Sequence, residues 1–174
     1  MHLEGARLLL DAPAITRLFS RLPALEGREL GGSQLVALLV KPGRHFNACY
    51  RLRVPGASTA TVLASAFAIG RASAAQIRTN IGPHAADAGN PAACAHCSTL
   101  LAEPGLLLQL FPFDYRLPTL AACLDTPRIS RDLDRTPPLT DCEPMGYRPG
   151  MRCQIRYRTA AVAQSRRGRR PATE

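Results

Sequence analysis

Polar and less polar residues alternate strictly near the end of the chain, directly after a Pro-Gly dipeptide. One face of this segment carries Met151, Cys153, Ile155 and Tyr157, and the other carries Arg152, Gln154, Arg156 and Arg158. A period of two is typical of a half-buried β-strand, because successive side chains point to opposite faces of a sheet. Residues 146–158 therefore predict a Pro-Gly turn that leads into a strand.

The same pattern occurs 107 residues earlier and aligns without a gap. Lys41-Pro42-Gly43 corresponds to Arg148-Pro149-Gly150, and Tyr50-Arg51 corresponds to Tyr157-Arg158. In this copy, one predicted face carries Phe46, Ala48, Tyr50, Leu52 and Val54, and the other carries His45, Asn47, Cys49, Arg51 and Arg53. The units are either copies of one duplicated element or two independent uses of a common hairpin turn. Both interpretations stay open.

The remaining elements are predicted from apolar runs, helical spacing and breaker residues. Asp11 followed by Pro13 is a typical helix start, because Asp caps the first turn and Pro is tolerated there. Strands are expected near 35–40, 45–54, 59–69 and 105–111. For 59–69, the alanines also allow a helix. Helices are expected near 12–22, 117–124 and 127–135. Residues 136–144 are predicted to form a proline-rich connector.

This order of elements predicts an α+β fold, with an antiparallel sheet built from two Pro-Gly hairpin units and a few short helices. The predicted organisation is an N-terminal helix and loop at 1–34, an α+β domain at 35–162 with a candidate insertion at 79–93, and a disordered basic tail at 163–174.

Composition narrows the function only a little. The formal charge of +9 comes almost wholly from arginine, since Lys41 is the single lysine, and it permits phosphates, acidic surfaces or nucleic acid as partners. The first residues do not form a secretory signal, and no run approaches the ~20 apolar residues that cross a bilayer. We therefore expect no membrane partner, and six cysteines without an export signal favour reduced thiols in the cytoplasm.

Two longer segments carry a family resemblance. Residues 108–120, Leu-Gln-Leu-Phe-Pro-Phe-Asp-Tyr-Arg-Leu-Pro-Thr-Leu, together with 147–153, Tyr-Arg-Pro-Gly-Met-Arg-Cys, resemble the N-terminal part of bacterial aminoglycoside-phosphotransferase-like kinases. The unit at 41–50 fits the same region. The resemblance implies a β-rich lobe, like the N-lobe of protein kinases, that covers Mg-ATP while a helical lobe supplies catalysis. By position, the implied cofactor-binding residues are Tyr147, Arg148, Gly150 and Arg152.

The chain departs from that family where catalysis takes place. It contains no His-Gly-Asp loop and no G-x-G-x-x-G phosphate loop, and Lys41 falls in a turn where the family places its lysine inside a strand. The prediction is an N-terminal fragment of such a kinase, without catalytic or metal-binding residues, inactive alone and dependent on a catalytic lobe as its partner. It would hold no cofactor by itself.

The alternative function is a noncatalytic basic module. Arg152, Arg156 and Arg158, together with Arg51 and Arg53, could form a cationic sheet face that docks an acidic partner or nucleic acid. The cluster Arg166-Arg167-Gly168-Arg169-Arg170 could contact phosphates, but no aromatic residue lies near it to stack on bases. An acidic partner is therefore favoured over nucleic acid, and a simply solvated sheet face is the plainer interpretation.

Two further patterns are weak. Cys94-Ala95-His96-Cys97 has C-x-x-C spacing, but a structural zinc site needs four ligands and no second such pair is present. Two loop thiols are the favoured interpretation. Asp114, between Phe113 and Tyr115, is read as a residue that turns the chain after a buried strand, in preference to a catalytic acid.

Overall fold

The computed structural model describes residues 7–41, 45–56, 61–68, 96–101, 103, 105–134 and 136–159. The predicted Pro42-Gly43 turn, the candidate insertion at 79–93, Cys94 and the basic tail at 163–174 lie outside these residues.

The centre of the fold is a five-stranded antiparallel sheet, which confirms the predicted α+β class. Its strands are β1 (Gly32–Lys41), β2 (His45–Arg53), β3 (Thr61–Ala68), β4 (Ser98–Leu101) and β5 (Leu106–Leu110). They lie in the order β1-β2-β3-β5-β4, so β1 and β4 form the two edges. All five residues of β5 are buried, as expected for an apolar strand covered on both faces.

One face of the sheet packs against helix α1 (Ala12–Phe19). The Asp11 side chain caps this helix by accepting a hydrogen bond of 2.9 Å from the Ala14 amide, as predicted. Ile15 and Phe19 are fully buried in the sheet core, and the Phe19 ring meets Tyr50 edge to face at 5.7 Å. The Tyr50 hydroxyl donates to the Leu9 carbonyl at 2.6 Å. The N-terminal helix and the sheet therefore share a single hydrophobic core.

The opposite face of the sheet is also covered, so the alternation of a half-buried strand gives the faces of β2 but not their burial. Asn47 and Cys49 lie on the predicted face opposite Ala48 and Tyr50, and each is about as buried as the core residues. The reason is that the second hairpin and the segment after β5 pack over them. Under that cover lies a layer of buried polar side chains: Asn47, Ser65, Gln109 and Asp114.

The second hairpin is formed by β6 (Leu139–Arg148) and β7 (Arg152–Thr159). The predicted connector at 136–144 is therefore wrong, because most of it belongs to β6. Pro144 is tolerated because the register shifts between Pro144 and Gly146, and proline is accommodated at bulges and in strands without a second neighbour. The predicted alternation is confirmed within β7, since Cys153, Ile155 and Tyr157 are less exposed than the residues between them. Met151, predicted on the same face, lies in the turn and is exposed.

Two short helices support this hairpin, α2 (Leu120–Cys123) and α3 (Thr126–Asp132). The Tyr157 hydroxyl donates to the Cys123 carbonyl at 2.7 Å, and the Leu139 amide donates to the Ser130 hydroxyl at 2.8 Å. Within the described ranges, no helix has the length and apolar character that a membrane crossing requires.

The strands on either side of the two Pro-Gly dipeptides pair in the same register next to the dipeptide. Lys41 pairs with His45 in the first hairpin, and the corresponding residues of the second, Arg148 and Arg152, also pair. The next two pairs outward correspond in the same way: Val40 with Phe46 and Leu39 with Asn47 in the first hairpin, and Tyr147 with Cys153 and Gly146 with Gln154 in the second. The correspondence ends at the fourth pair, since Ala48 pairs with Leu38 whereas Ile155 pairs with Pro144. Because hairpins with equal loop length share their register next to the turn, a duplicated element and two independent turns both stay open.

The buried thiol of Cys49 makes the folding stability of the protein decrease as the pH rises above 9. Burial raises its pKa from 9.0 to about 11, against the opposing charge of Arg51. Above pH 9 the unfolded chain loses this proton while the folded chain keeps it, so stability present below pH 9 is lost as pH rises toward 11. The full difference corresponds to about 3 kcal/mol.

We expect Cys49→Ala to flatten this decline, with urea unfolding at pH 8.0, 9.5 and 10.5 as the measurement. The tyrosines titrate in both proteins, so the comparison is the difference between wild type and variant. A difference that stays constant over this range would contradict the assignment.

Candidate functional site

The turn of the second hairpin lies against the second face of the five-stranded sheet. The Asn47 side-chain amide donates to the Pro149 carbonyl oxygen at 3.2 Å. Gly150 has a φ of +68°, and a Cβ added there would lie 3.0 Å from Phe67 Cε1 and 3.1 Å from Arg116 Cδ. The backbone thus lies so close to its neighbours that a side chain at this position would force Phe67 or Arg116 to shift by a few tenths of an ångström.

Asp114 holds the turn of the second hairpin against the sheet through hydrogen bonds. One carboxylate oxygen accepts from the Tyr147 hydroxyl at 2.8 Å and from the Gly150 amide at 2.7 Å. The other oxygen accepts from the Arg116 amide at 2.9 Å. The last contact is the local turn that the sequence predicted for Asp114. The two contacts with the distant hairpin could not be predicted from the residues around it.

Tyr147 acts in this arrangement as a hydrogen-bond donor. Burial raises the pKa of its hydroxyl, and the negative charge of Asp114 raises it further. The ring also meets Phe111 edge to face at 5.1 Å. The side chain is therefore held protonated between an aromatic contact and a carboxylate, which makes it part of the support of the turn.

A groove of about 310 Å³ opens beside this turn, at the edge of the sheet. It is lined by Ala37, Leu38, Leu39, Asn47, Arg148 and Pro149. Its volume is at the lower end of the range for small-molecule sites, which are mostly apolar with a few polar groups. Among the described lining residues, Arg148 supplies the only charge.

The structure separates the four residues predicted to bind a cofactor. Arg148 lines the groove, whereas Tyr147 and Gly150 are hydrogen-bonded to Asp114. Arg152 is exposed, pairs in register with Arg148, and is not among the described lining residues. Asp114 and Asn47, which sequence reasoning had not assigned to the site, position the turn that carries Arg148.

The arginines predicted to share one cationic face lie on two different sheets. Arg156 and Arg158 belong to the second hairpin, and both contact the Glu143 carboxylate, at 3.2 and 3.3 Å. Arg51 and Arg53 belong to β2 of the five-stranded sheet. The positive charge of this region is therefore partly neutralised within the protein.

No metal centre emerges from the part of the chain that the structure describes, where no three His, Cys, Asp or Glu side chains are grouped to hold an ion. Of the C-x-x-C motif, His96 and Cys97 are described and precede β4 directly.

Comparisons with known proteins find no relative: no family model, no curated protein and no solved structure matches the chain.

Proposed function

We propose that this chain is a nucleotide-covering lobe, of the kind that forms the N-terminal part of aminoglycoside-phosphotransferase-like kinases. The observation that carries the proposal is the groove beside the second turn, where an arginine stands at the border of an apolar wall. It is supported by the antiparallel sheet with short helices and by the family resemblance of residues 108–120 and 147–153.

The lining suits the two chemical parts of a nucleotide. Leu38 and Pro149 offer apolar surface to a planar base, and the Arg148 guanidinium offers a planar set of donors that matches phosphate oxygens. The chain itself would only bind and cover the nucleotide. Transfer of a phosphoryl group to a hydroxyl would require magnesium and a second lobe with an aspartate for the substrate hydroxyl.

We place this lobe in the cytoplasm, where ATP is abundant. The free thiols of Cys49, Cys123, Cys142 and Cys153 agree with a reducing compartment.

Calorimetric titration of the purified chain with Mg-ATP tests the proposal. The sequence alone predicted that the chain holds no cofactor without a catalytic lobe, but the groove is formed entirely by residues of this chain, so here we expect saturable binding. Arg148→Ala should weaken it by about 10- to 100-fold, because a hydrogen bond to a charged group contributes about 1.5–3 kcal/mol. The matched control is Arg128→Ala, which removes the same charge from helix α3, where Arg128 faces Asp132 at 3.6 Å.

Absence of binding at millimolar Mg-ATP would contradict the proposal. Equal weakening in Arg148→Ala and Arg128→Ala would also contradict it, because the affinity would then follow net charge and not the groove.

A further inference from the structure

The second hairpin contains an internal example of carboxylate binding by paired arginines. Arg156 and Arg158 stand two residues apart on one face of β7, and both bind Glu143 through the same carboxylate oxygen. Glu143 is the direct cross-strand partner of Arg156. Two arginines at this spacing can therefore hold one oxyanion from the neighbouring strand.

The first hairpin repeats this geometry without the acid. Arg51 and Arg53 stand two residues apart on one face of β2, and the direct cross-strand partner of Arg51 is Gln34. Gln34 thus stands opposite Arg51 as Glu143 stands opposite Arg156, with a neutral carboxamide in place of the carboxylate. This match is displaced by two positions from the repeat, in which Arg51 aligns with Arg158. Within the described part of the chain, neither Arg51 nor Arg53 forms an ion pair.

A small recess lies beside these two arginines. Its volume is about 160 Å³, and it is lined by Gly31, Gly32, Ser33, Gln34, Arg51, Arg53 and Thr61. A Cβ added at Gly31 would lie 3.1 Å from Arg53 Cδ, so the missing side chain leaves room for the stem of Arg53. The described lining contains no acidic residue.

We propose that Arg51 and Arg53 form a binding site for a single oxyanion, a carboxylate or a phosphate group, supplied from outside the chain. Residues two apart on a strand are separated by about 6.8 Å, so two guanidinium groups can converge on one small anion. The recess is about half the minimum volume of sites for drug-sized ligands, and its size therefore suits the anionic group alone. This site lies outside the nucleotide groove and does not depend on it.

Electrostatics favour occupation of the site. Two adjacent positive charges repel each other unless a counter-charge lies between them, and charge-assisted hydrogen bonds from arginine to carboxylate or phosphate are among the stronger polar contacts in proteins. Because the guanidinium groups are exposed, salt should weaken the interaction. The site also gives a location to the acidic partner predicted from the sequence.

The test measures the thermal unfolding midpoint in sodium phosphate and in sodium glutarate, each against sodium chloride of equal ionic strength. An anion that binds only the folded chain raises the midpoint in a saturable way. Gln34→Glu places a carboxylate opposite Arg51, and we expect it to weaken the response to added anion at least tenfold. Arg51→Gln should do the same.

The control variant Arg128→Gln removes a surface charge elsewhere and should keep the full response. Because phosphate can also occupy the nucleotide groove that Arg148 lines, the Gln34→Glu comparison is repeated in an Arg148→Ala background, where a failure of that groove leaves the result unchanged. A larger response to phosphate would assign the site to phosphate groups, and a larger response to glutarate would assign it to acidic side chains. An unaltered response in Gln34→Glu, or no response in the wild type beyond that to chloride, would overturn the proposal.

Discussion

Asp114→Ala is expected to destabilise the protein by about 4 kcal/mol, a large share of the 5–15 kcal/mol typical of domains. The carboxylate is buried and accepts three hydrogen bonds, from the Tyr147 hydroxyl and from the amides of Gly150 and Arg116. Its removal leaves three donors without their acceptor at the interface between hairpin and sheet. The urea-unfolding midpoint measures the loss.

Hydrogen exchange of the Gly150 amide locates the effect. We expect this amide to lose protection in Asp114→Ala, while amides of β3 and β5 stay protected, because those strands are fixed by the opposite core. Tyr147→Phe should cost less, since it removes one of the three bonds. The control, Asp132→Asn, alters an exposed pair with Arg128 and should change stability by less than about 1 kcal/mol. Similar losses in Asp114→Ala and Asp132→Asn would rule out a fastening role for Asp114.

Gly150→Ala is the second large effect, with an expected loss of about 3 kcal/mol. A positive φ costs a residue with a side chain about 1–2 kcal/mol, and overpacking adds about 1–3 kcal/mol. The added carbon would lie within 3.0–3.3 Å of Phe67, Arg116 and Asn47. Because the amide of Gly150 binds Asp114, displacement of the turn would also weaken that hydrogen bond.

Gly56→Ala separates the two contributions. Gly56 has a φ of +76°, and nothing lies within 4 Å of an added Cβ, so the variant carries the conformational cost alone. Chemical denaturation should show a larger loss of unfolding free energy in Gly150→Ala than in Gly56→Ala, and the difference is the cost of overpacking. Equal losses would mean that the turn shifts without cost and does not fix the position of Arg148.

The local elements of this fold could be predicted from the sequence because neighbouring residues determine them. Asp11 and Pro13 mark the start of α1, and the alternation after Gly150 marks β7. Correspondence between the two Pro-Gly units also predicted a pair of hairpins. In each case the signal lies within a few residues of the element.

The features that could not be predicted from the sequence depend on contacts between residues that are far apart in the chain. Pro144 favours a connector by propensity, yet pairing with β7 draws it into β6. Cys49 has the alternation of an exposed position, and only the hairpin packed above it makes it buried. Asp114 shows its local turn in the sequence, whereas its bonds to Tyr147 and Gly150 span more than thirty residues. The groove could not be predicted because it exists only where these contacts bring the turn to the sheet.

The edge position of β1 has a consequence for the behaviour of the protein in solution. No charged residue stands between Gly32 and Val40, and Leu35, Val36, Leu38 and Val40 are each at least 40% exposed. Natural sheets usually protect such edges with charges or proline. Here the edge lacks that protection, so edge-to-edge association between molecules is opposed mainly by the net charge of +9. Electrostatic repulsion between molecules then keeps the protein dispersed. Because the range of this repulsion falls to about 10 Å at 0.1 M salt, we expect solubility to decrease as salt is added.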